Sequence, residues 1–234
     1  MGAFTFAAIG YIKSPYAEKF AVPRQPGLVP SARAQLVLDA PYRGEALRGI
    51  EAFSHLWLSF VFHQHLDRDW QPLVRPPRLG GNAKTGVFAS RSTFRPNPLG
   101  LSVVKLLDVD AKTGVLTLGG VDLVDGTPII DIKPYIPYAD ALPDATAGYA
   151  PQAPTALAVT WSDSALDTLK QLQQEHHQQF ISEVLAQDPR PAYKKQQLDS
   201  RQYGVTLAGL NIRFKVESDR VLIETITSFT NPSA

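Results

Sequence analysis

Between Phe4 and Tyr138, apolar segments of strand length follow one another with turns between them and no helix of crossover length. Parallel neighbours in one sheet need a connection of about a dozen residues or more, usually helical, so a helix-free series favours hairpins and closure into a barrel. Phe4 to Ile12 reads as a first strand ended by Ser14-Pro15. Arg33 to Leu38 alternates, with Ala34, Leu36 and Leu38 on one face. Tyr42 to Ile50 reads as a short helix or turn with Leu47 and Ile50 inward. Phe53 to His63 is almost unbroken apolar sequence rich in aromatics, and so a central strand. Leu101 to Val109 and Gly114 to Leu118 flank Asp110-Ala111-Lys112-Thr113, a hairpin signal. Val121 to Pro128 reads as a strand entering an Asp-Gly turn, and Ile129 to Tyr138 alternates until proline stops it. The expectation is a mainly β protein built on an N-terminal mixed or antiparallel β-barrel.

Beyond Asp140 the character changes. Residues 140 to 155 carry Ala, Pro, Gly and Asp with little to bury and read as a linker. A helix capped by Ser162 or Asp163 is expected through Leu166, Leu169, Leu172, Phe180, Ile181 and Leu185, where apolar residues recur mostly at threes and fours. Asp188-Pro189-Arg190-Pro191 ends it. A helical turn at Tyr193 to Asp199 and strands at 203–207, 210–216 and 221–226 complete a small α+β domain. The expected division is residues 1–145 for the barrel and 155–234 for the accessory domain.

Charge is concentrated within the barrel sequence. Trp70 to Leu107 holds six basic residues and no acidic one, although the formal charge of the whole chain is only +1. Inside it, Phe94-Arg95-Pro96-Asn97-Pro98-Leu99-Gly100 fixes an Arg and an Asn between prolines. Gly86 to Ala89 reads as a short buried strand before this loop, and Leu101 begins another after it. A rigid basic loop anchored at both ends suits an anion or polyanion; a solvated loop braced by proline is the plainer alternative. Tyr16 to Ser31 is a second long irregular segment with several prolines, of the kind that is often functional.

Other chemistries find little support. The chain has no Cys, which excludes thiolate metal sites and Cys nucleophiles and is compatible with a reducing compartment. The N-terminus lacks the basic region of a signal peptide, and no stretch approaches a membrane span. No Gly-rich strand-to-helix loop is present for a nucleotide, and no Gly-x-Ser-x-Gly elbow for a hydrolase. His63 and His65 would share a face in a strand, but lack a third metal ligand, so no metal is expected. His55 opens the most apolar strand, either as a core-edge residue or lining a cavity. Asp131 sits between isoleucines with Lys133 two residues on. On an inward face it would need an ion pair, structurally with Lys133 or Arg91, or a cationic or hydroxyl-bearing ligand. Arg190 between prolines, with Tyr193 nearby, suits either a rigid interdomain turn or phosphate contact with base stacking.

Taken together, GVFASRSTFRPNPLGLSVVKL, FSHLWLSFVFH and DLVDGTPIIDIKPYIPYAD closely resemble the TrmO family of tRNA methyltransferases, also called TsaA-like, and QDPRPAY with YGVTLAGLNIRFKV resembles the C-terminal domain of its proteobacterial members. The resemblance implies a non-Rossmann β-barrel enzyme of the cytoplasm. It would use S-adenosyl-L-methionine to methylate N6 of N6-threonylcarbamoyladenosine at position 37, in threonine tRNA that reads ACY codons. A homodimer with the cofactor near the subunit boundary is implied, and neither a membrane nor DNA is an expected partner. Carried over by motif, Arg24, Gln25, His55, Arg91, Asp122, Leu123, Val124, Asp125, Asp131 and Lys133 would surround the cofactor. Arg75, Arg78, Lys84, Arg95, Arg190 and Tyr193 would face the anticodon stem-loop, and Asn97, Arg95 and Tyr135 would hold the catalytic positions. Two alternatives stay open: a methyltransferase of another substrate, and a tRNA-binding module without turnover.

Overall fold

The computed structural model describes residues 2–191, 194–195 and 199–229, with the backbone alone for 199 and 200. In chain order the barrel domain contains β1 (Gly10–Lys13), β2 (Arg33–Leu38), β3 (His55–Val61), β4 (Leu73–Val74), β5 (Thr85–Gly86), β6 (Leu99–Asp110), β7 (Val115–Gly119), β8 (Pro128–Pro134) and the short α1 (Pro137–Asp140). The second domain contains β9 (Ala158–Trp161), α2 (Asp163–Gln171), α3 (Gln178–Ala186), β10 (Asp199–Leu207), β11 (Leu210–Glu217) and β12 (Arg220–Ser228). Six strands close a barrel in the order β1-β2-β7-β6-β3-β8, every described pairing antiparallel. Closure leaves no unpaired edge.

Alternation fills the barrel. Ile12, Leu36, Leu38, Leu56, Leu58, Val104, Leu116, Leu118 and Ile129 all point inward and are almost wholly buried. β3 forms where the apolar run 53–63 is expected to give a strand, and it lies between β6 and β8; in a closed barrel every strand has two neighbours. The β6–β7 hairpin turns where the Asp110 carboxylate accepts from the backbone N–H of Lys112 and Thr113, and Gly114 takes φ 73°. β1 and β2 approach very closely: a Cβ on Gly10 would lie 2.3 Å from the Val37 carbonyl oxygen. Gly10→Ala must therefore push the β1 and β2 backbones apart, and we expect about 1–3 kcal/mol of destabilisation, read as a lowered denaturant midpoint.

Several expectations shift. The first strand begins at Gly10; Phe4 and Phe6 lie outside it and are exposed. The segment 121–124 forms no strand, although Val121 and Leu123 are buried. Gly86 to Ala89 is not a buried strand: β5 ends at Gly86, a 3-10 turn follows, and Phe88 is 75% exposed. The long helix is two, broken at Gln173 (φ 56°), with the Ser162 hydroxyl capping α2 by accepting from Ala165 N–H at 3.1 Å. β9 has no counterpart among the expected strands; it adds to β12 in parallel. Most of the expected turn at 193–199 lies outside the described residues.

The domains share one contiguous apolar core. The buried Tyr16 ring meets Phe180 with centroids 5.6 Å apart, and Tyr16 bridges to Leu207. Glu183 accepts from Ser31 through both backbone N–H (2.9 Å) and hydroxyl (2.6 Å), and Glu18 accepts from Thr206 N–H at 3.1 Å. Among the described residues no helix is long and apolar enough to cross a membrane.

Candidate functional site

Three stretches distant in sequence are linked through Arg91. Gln25 comes from the first long loop, Arg91 from the basic loop, and Asp122 from the segment that leaves β7. Arg91 donates to the Gln25 side-chain oxygen, and its positive charge also acts on Asp122. The Asp122 carboxylate accepts from the Ser102 hydroxyl at 2.8 Å. Ser102 is 2% exposed in the inward row of β6, a polar residue where the barrel pattern calls for an apolar one. Burial raises the Asp122 carboxyl from its ordinary 3.8 to about 6, against the lowering effects of Ser102 and Arg91.

The rest of the 122–125 segment is pinned from the first loop. Ser14 donates its hydroxyl to the Leu123 carbonyl and its backbone N–H to the Asp125 carboxylate, each at 2.8 Å. Thr127 donates to the Val124 carbonyl at 2.6 Å, and Asp125 N–H to the Tyr16 carbonyl at 3.0 Å. This irregular backbone is thus held rigidly beside the Asp122 carboxylate. The arrangement fits the cofactor the resemblance implies: S-adenosylmethionine carries a sulfonium, an ammonium and a carboxylate. A desolvated Asp lacking full neutralisation suits the cations, and the Arg91 guanidinium suits the carboxylate.

The basic loop that supplies Arg91 continues through Arg95 to Asn97. Arg95 is half-buried and donates through NH1 to the carbonyls of Ser90 (2.7 Å) and Val87 (3.2 Å), with its guanidinium 5.8 Å from the centroid of Phe88. It therefore braces the 87–90 turn. Asn97, Arg75, Arg78, Lys84 and Arg91 are exposed, and Trp70 (50%) and Phe88 (75%) stand among them with their rings in solvent. Cations interleaved with exposed aromatics give phosphate contacts and stacking faces together.

His55 lines a cleft with Arg33, Lys105, Val103, Gly27 and Gly119–Gly120, the glycines at 27 and 120 lying two positions along the chain from Gln25 and from Asp122. The His55 ring meets Tyr135, whose ring also packs against Trp57. Asp131 and Lys133 pair with each other at the surface, the carboxylate side chain 48% exposed rather than inward. The cause is a β-bulge: Ser59 faces Asp131 but Phe60 faces Ile129, so Ile130 is the extra residue and the alternation flips beyond it. His63 and His65 sit in a 3-10 turn instead of a strand, with Lys19 Nζ 3.3 Å from His65 Nδ1. Arg190 corrects the expectation of a phosphate contact. It is 3% exposed and committed to Asp188, because a guanidinium in the interior needs a bidentate partner more than a surface. Tyr193 lies outside the described residues. Ser102, Ser14, Trp70 and Phe88 escape a reading of the sequence. The polar interruption of the inward row on β6 is the one available signal for Ser102.

The family model described as the tRNA-methyltransferase O N-terminal domain matches residues 11–141, and that of the TrmO C-terminal domain matches residues 154–229. The chain is 56% identical over 222 residues to the tRNA (adenine(37)-N6)-methyltransferase of Escherichia coli (strain K12), covering 92% of this chain and 94% of that one. It is 51% identical over 210 residues to a Pseudomonas aeruginosa protein provisionally named an S-adenosylmethionine-dependent methyltransferase, covering 88% and 90%. The crystal structure of TrmO from Pseudomonas aeruginosa superposes with a TM-score of 0.79 at 41% identity, covering 97% of this chain and 99% of that one.

Proposed function

The chain belongs to the TrmO family of tRNA N6-methyltransferases, and from that premise we propose that it transfers a methyl group from S-adenosylmethionine to N6 of N6-threonylcarbamoyladenosine at position 37 of threonine tRNA. The observation that carries this reading is the buried Asp122 carboxylate held by Ser102 and under the charge of Arg91, which bonds Gln25 and belongs to the same basic loop as Arg95. Residues 1–145 form the cofactor-binding and catalytic domain in this reading, and 155–234 the RNA-binding accessory.

When bound, the cofactor supplies an electrophilic methyl group for in-line displacement. This chain's role is to hold the acceptor nitrogen at near-attack distance and in line. Asp122 would receive the cationic end of the cofactor, Arg91 its carboxylate, and the pinned 123–125 backbone would keep both in register. Arg95 spends one nitrogen on the Val87 and Ser90 carbonyls, and the remaining fork can meet the threonyl carboxylate of the modified base. Exposed Trp70 and Phe88 offer faces for bases of the anticodon loop.

A homodimer accords with the outer barrel face. Pairing aligns Leu101 with Ser59 and Val103 with Trp57, and Leu99, Leu101 and Leu107 are 45%, 56% and 39% exposed there. Lys105, Asp131 and Lys133 share this outer face, and the leucines are the part of it that a second copy would cover.

The test is incubation of the protein with labelled S-adenosylmethionine and tRNA that carries or lacks the threonylcarbamoyl group. Label in the modified tRNA alone is the expected result. Label in neither, with cofactor bound, would redirect the assignment to another methyl acceptor.

A further inference from the structure

One row of the barrel's outer face sets three basic side chains about a glycine. In register, His55 of β3 stands opposite Lys105 of β6, Lys105 opposite Gly119 of β7, and Gly119 opposite Arg33 of β2. These strands are neighbours in the barrel. Leu56, Val104, Leu118 and Ala34, next along each strand, are buried inside it, so the row itself points outward. Lys105 and Arg33 start about 10 Å apart, two strand spacings, and side chains of this length can close on a common point above Gly119. Arg33 already leans there: its Nη1 lies 3.6 Å from the position a Cβ on Gly119 would take. His55, Lys105 and Arg33 line one cleft of about 250 Å³, which Gly27 and Pro30 of the first long loop also line. Sites that enclose whole small molecules hold roughly 300–1,000 Å³, so this cleft suits a single group of a ligand.

Its donors are positioned and unmatched. Arg33 spends Nη1 on the carbonyls of Pro30 (2.7 Å) and Ala32 (3.1 Å), which fixes the fork and leaves Nε and Nη2. His55 Nδ1 lies 2.9 Å from Ser54 Oγ, leaving Nε2. Every residue that lines the cleft is described, and none is acidic. Among the described residues neither Arg33 nor Lys105 has a carboxylate within ion-pair distance. Glu183 lies within the field of Arg33, but it accepts from Ser31 and Gln179 and does not line the cleft. Asp108 stands in the next outward row, opposite Thr117, and does not line it either.

We propose that Arg33, Lys105 and His55 form a site for one phosphate group, carried by the RNA backbone or by a free phosphate. Donors that arrive from β2, β6 and β3 around an open glycine floor suit a tetrahedral oxyanion, whereas a planar carboxylate is met by one fork. The site goes beyond the methyl-transfer reading and does not depend on it. Leu107 belongs both to this cleft and to the leucine face assigned to a second copy, so the phosphate lies at the margin of the dimer. The assignment gives His55 to the phosphate rather than to the cofactor.

The experiment has two arms, each run on the full-length protein, Arg33→Gln, Lys105→Gln, the double variant, Lys105→Arg and a control on exposed α2, Lys170→Gln. Melting curves and size-exclusion chromatography establish folding and oligomeric state, and calorimetry reports cofactor affinity. In the first arm threonine tRNA is titrated at a series of salt concentrations. Arg33→Gln and Lys105→Gln should each weaken binding roughly threefold to tenfold and flatten the log–log salt slope by about one, while Lys105→Arg and Lys170→Gln keep it. In the second arm inorganic phosphate, at matched ionic strength and ten times its dissociation constant, should raise the wild-type melting temperature by about 3 °C and leave the double variant unmoved. A flattened slope with cofactor affinity retained assigns the site to RNA. A phosphate shift that the double variant abolishes, with unchanged slopes, assigns it to a free phosphate. Unchanged slopes with no site-dependent shift overturn the proposal. Loss of cofactor affinity in Arg33→Gln or Lys105→Gln also overturns it, since the anion is then the cofactor's carboxylate. A wild type that binds no tRNA removes the functional reading and leaves the second arm to decide this one.

Discussion

Replacing Asp122 with Asn is expected to weaken S-adenosylmethionine binding by roughly 30-fold at pH 8, the equivalent of about 2 kcal/mol for a charge partner removed from a buried site. The amide keeps an acceptor for the Ser102 hydroxyl and nearly the same shape, so the loss isolates the charge. The pH dependence separates the variants further. Because burial raises the Asp122 carboxyl to about 6, wild-type affinity for a cationic cofactor should fall as the pH drops through 6, and the Asn variant should show no such fall. Stability of the ligand-free protein should move in the opposite direction. The folded chain keeps this proton up to about pH 6, whereas the unfolded chain releases it near 3.8. The stability contributed by the group is complete below 3.8 and is lost as the pH rises through 6. Asp122→Asn should therefore melt higher than wild type at pH 8 while binding cofactor worse, a signature of charge held for function at a cost to the fold. Calorimetry and melting at two pH values check both halves; equal cofactor affinity in the two proteins at pH 8 would remove Asp122 from the binding site.

Arg190→Ala is expected to destabilise the protein by about 3 kcal/mol, because it strands the Asp188 carboxylate in the interior, where among the described residues Lys195 at 3.7 Å is the remaining ion-pair partner. Chemical denaturation should show this as a lower midpoint at similar slope. A double substitution, Asp188→Asn with Arg190→Met, removes both charges and keeps a residue tolerant of positive φ; it should recover much of the loss. If Arg190→Ala instead melts like wild type and loses only RNA affinity, Arg190 works at a surface and the burial described for it is incorrect.

These two residues mark the limits of what the sequence makes legible. Strand periodicity reports which face is inward wherever pairing stays regular: Ala34, Leu36 and Leu38 are buried as their spacing predicts, and β3 forms within the apolar run 53–63. One extra residue defeats it, as Ile130 does by turning Asp131 outward. Helical spacing likewise continues through Gln173, where the backbone changes hand and the apolar pattern resumes in a second helix. Ion pairing lies further out of reach. Nothing in the Asp188-Pro189-Arg190 spacing distinguishes a guanidinium that closes on its neighbour from one that awaits a phosphate, since the choice depends on burial by another domain. The Gln25–Arg91–Asp122 meeting is accessible only through family motifs, because its members are brought together by closure of the barrel and not by proximity in the chain.

The reaction we propose changes one nucleoside of one tRNA. The most direct measurement is nucleoside-resolved mass spectrometry of threonine tRNA digested before and after reaction with the protein and S-adenosylmethionine. Threonylcarbamoyladenosine is expected to disappear in step with a product heavier by one methyl group, and tRNA lacking this modification to remain unchanged. A methyl group on any other nucleoside, or an unaltered digest from protein with cofactor bound, would contradict that claim.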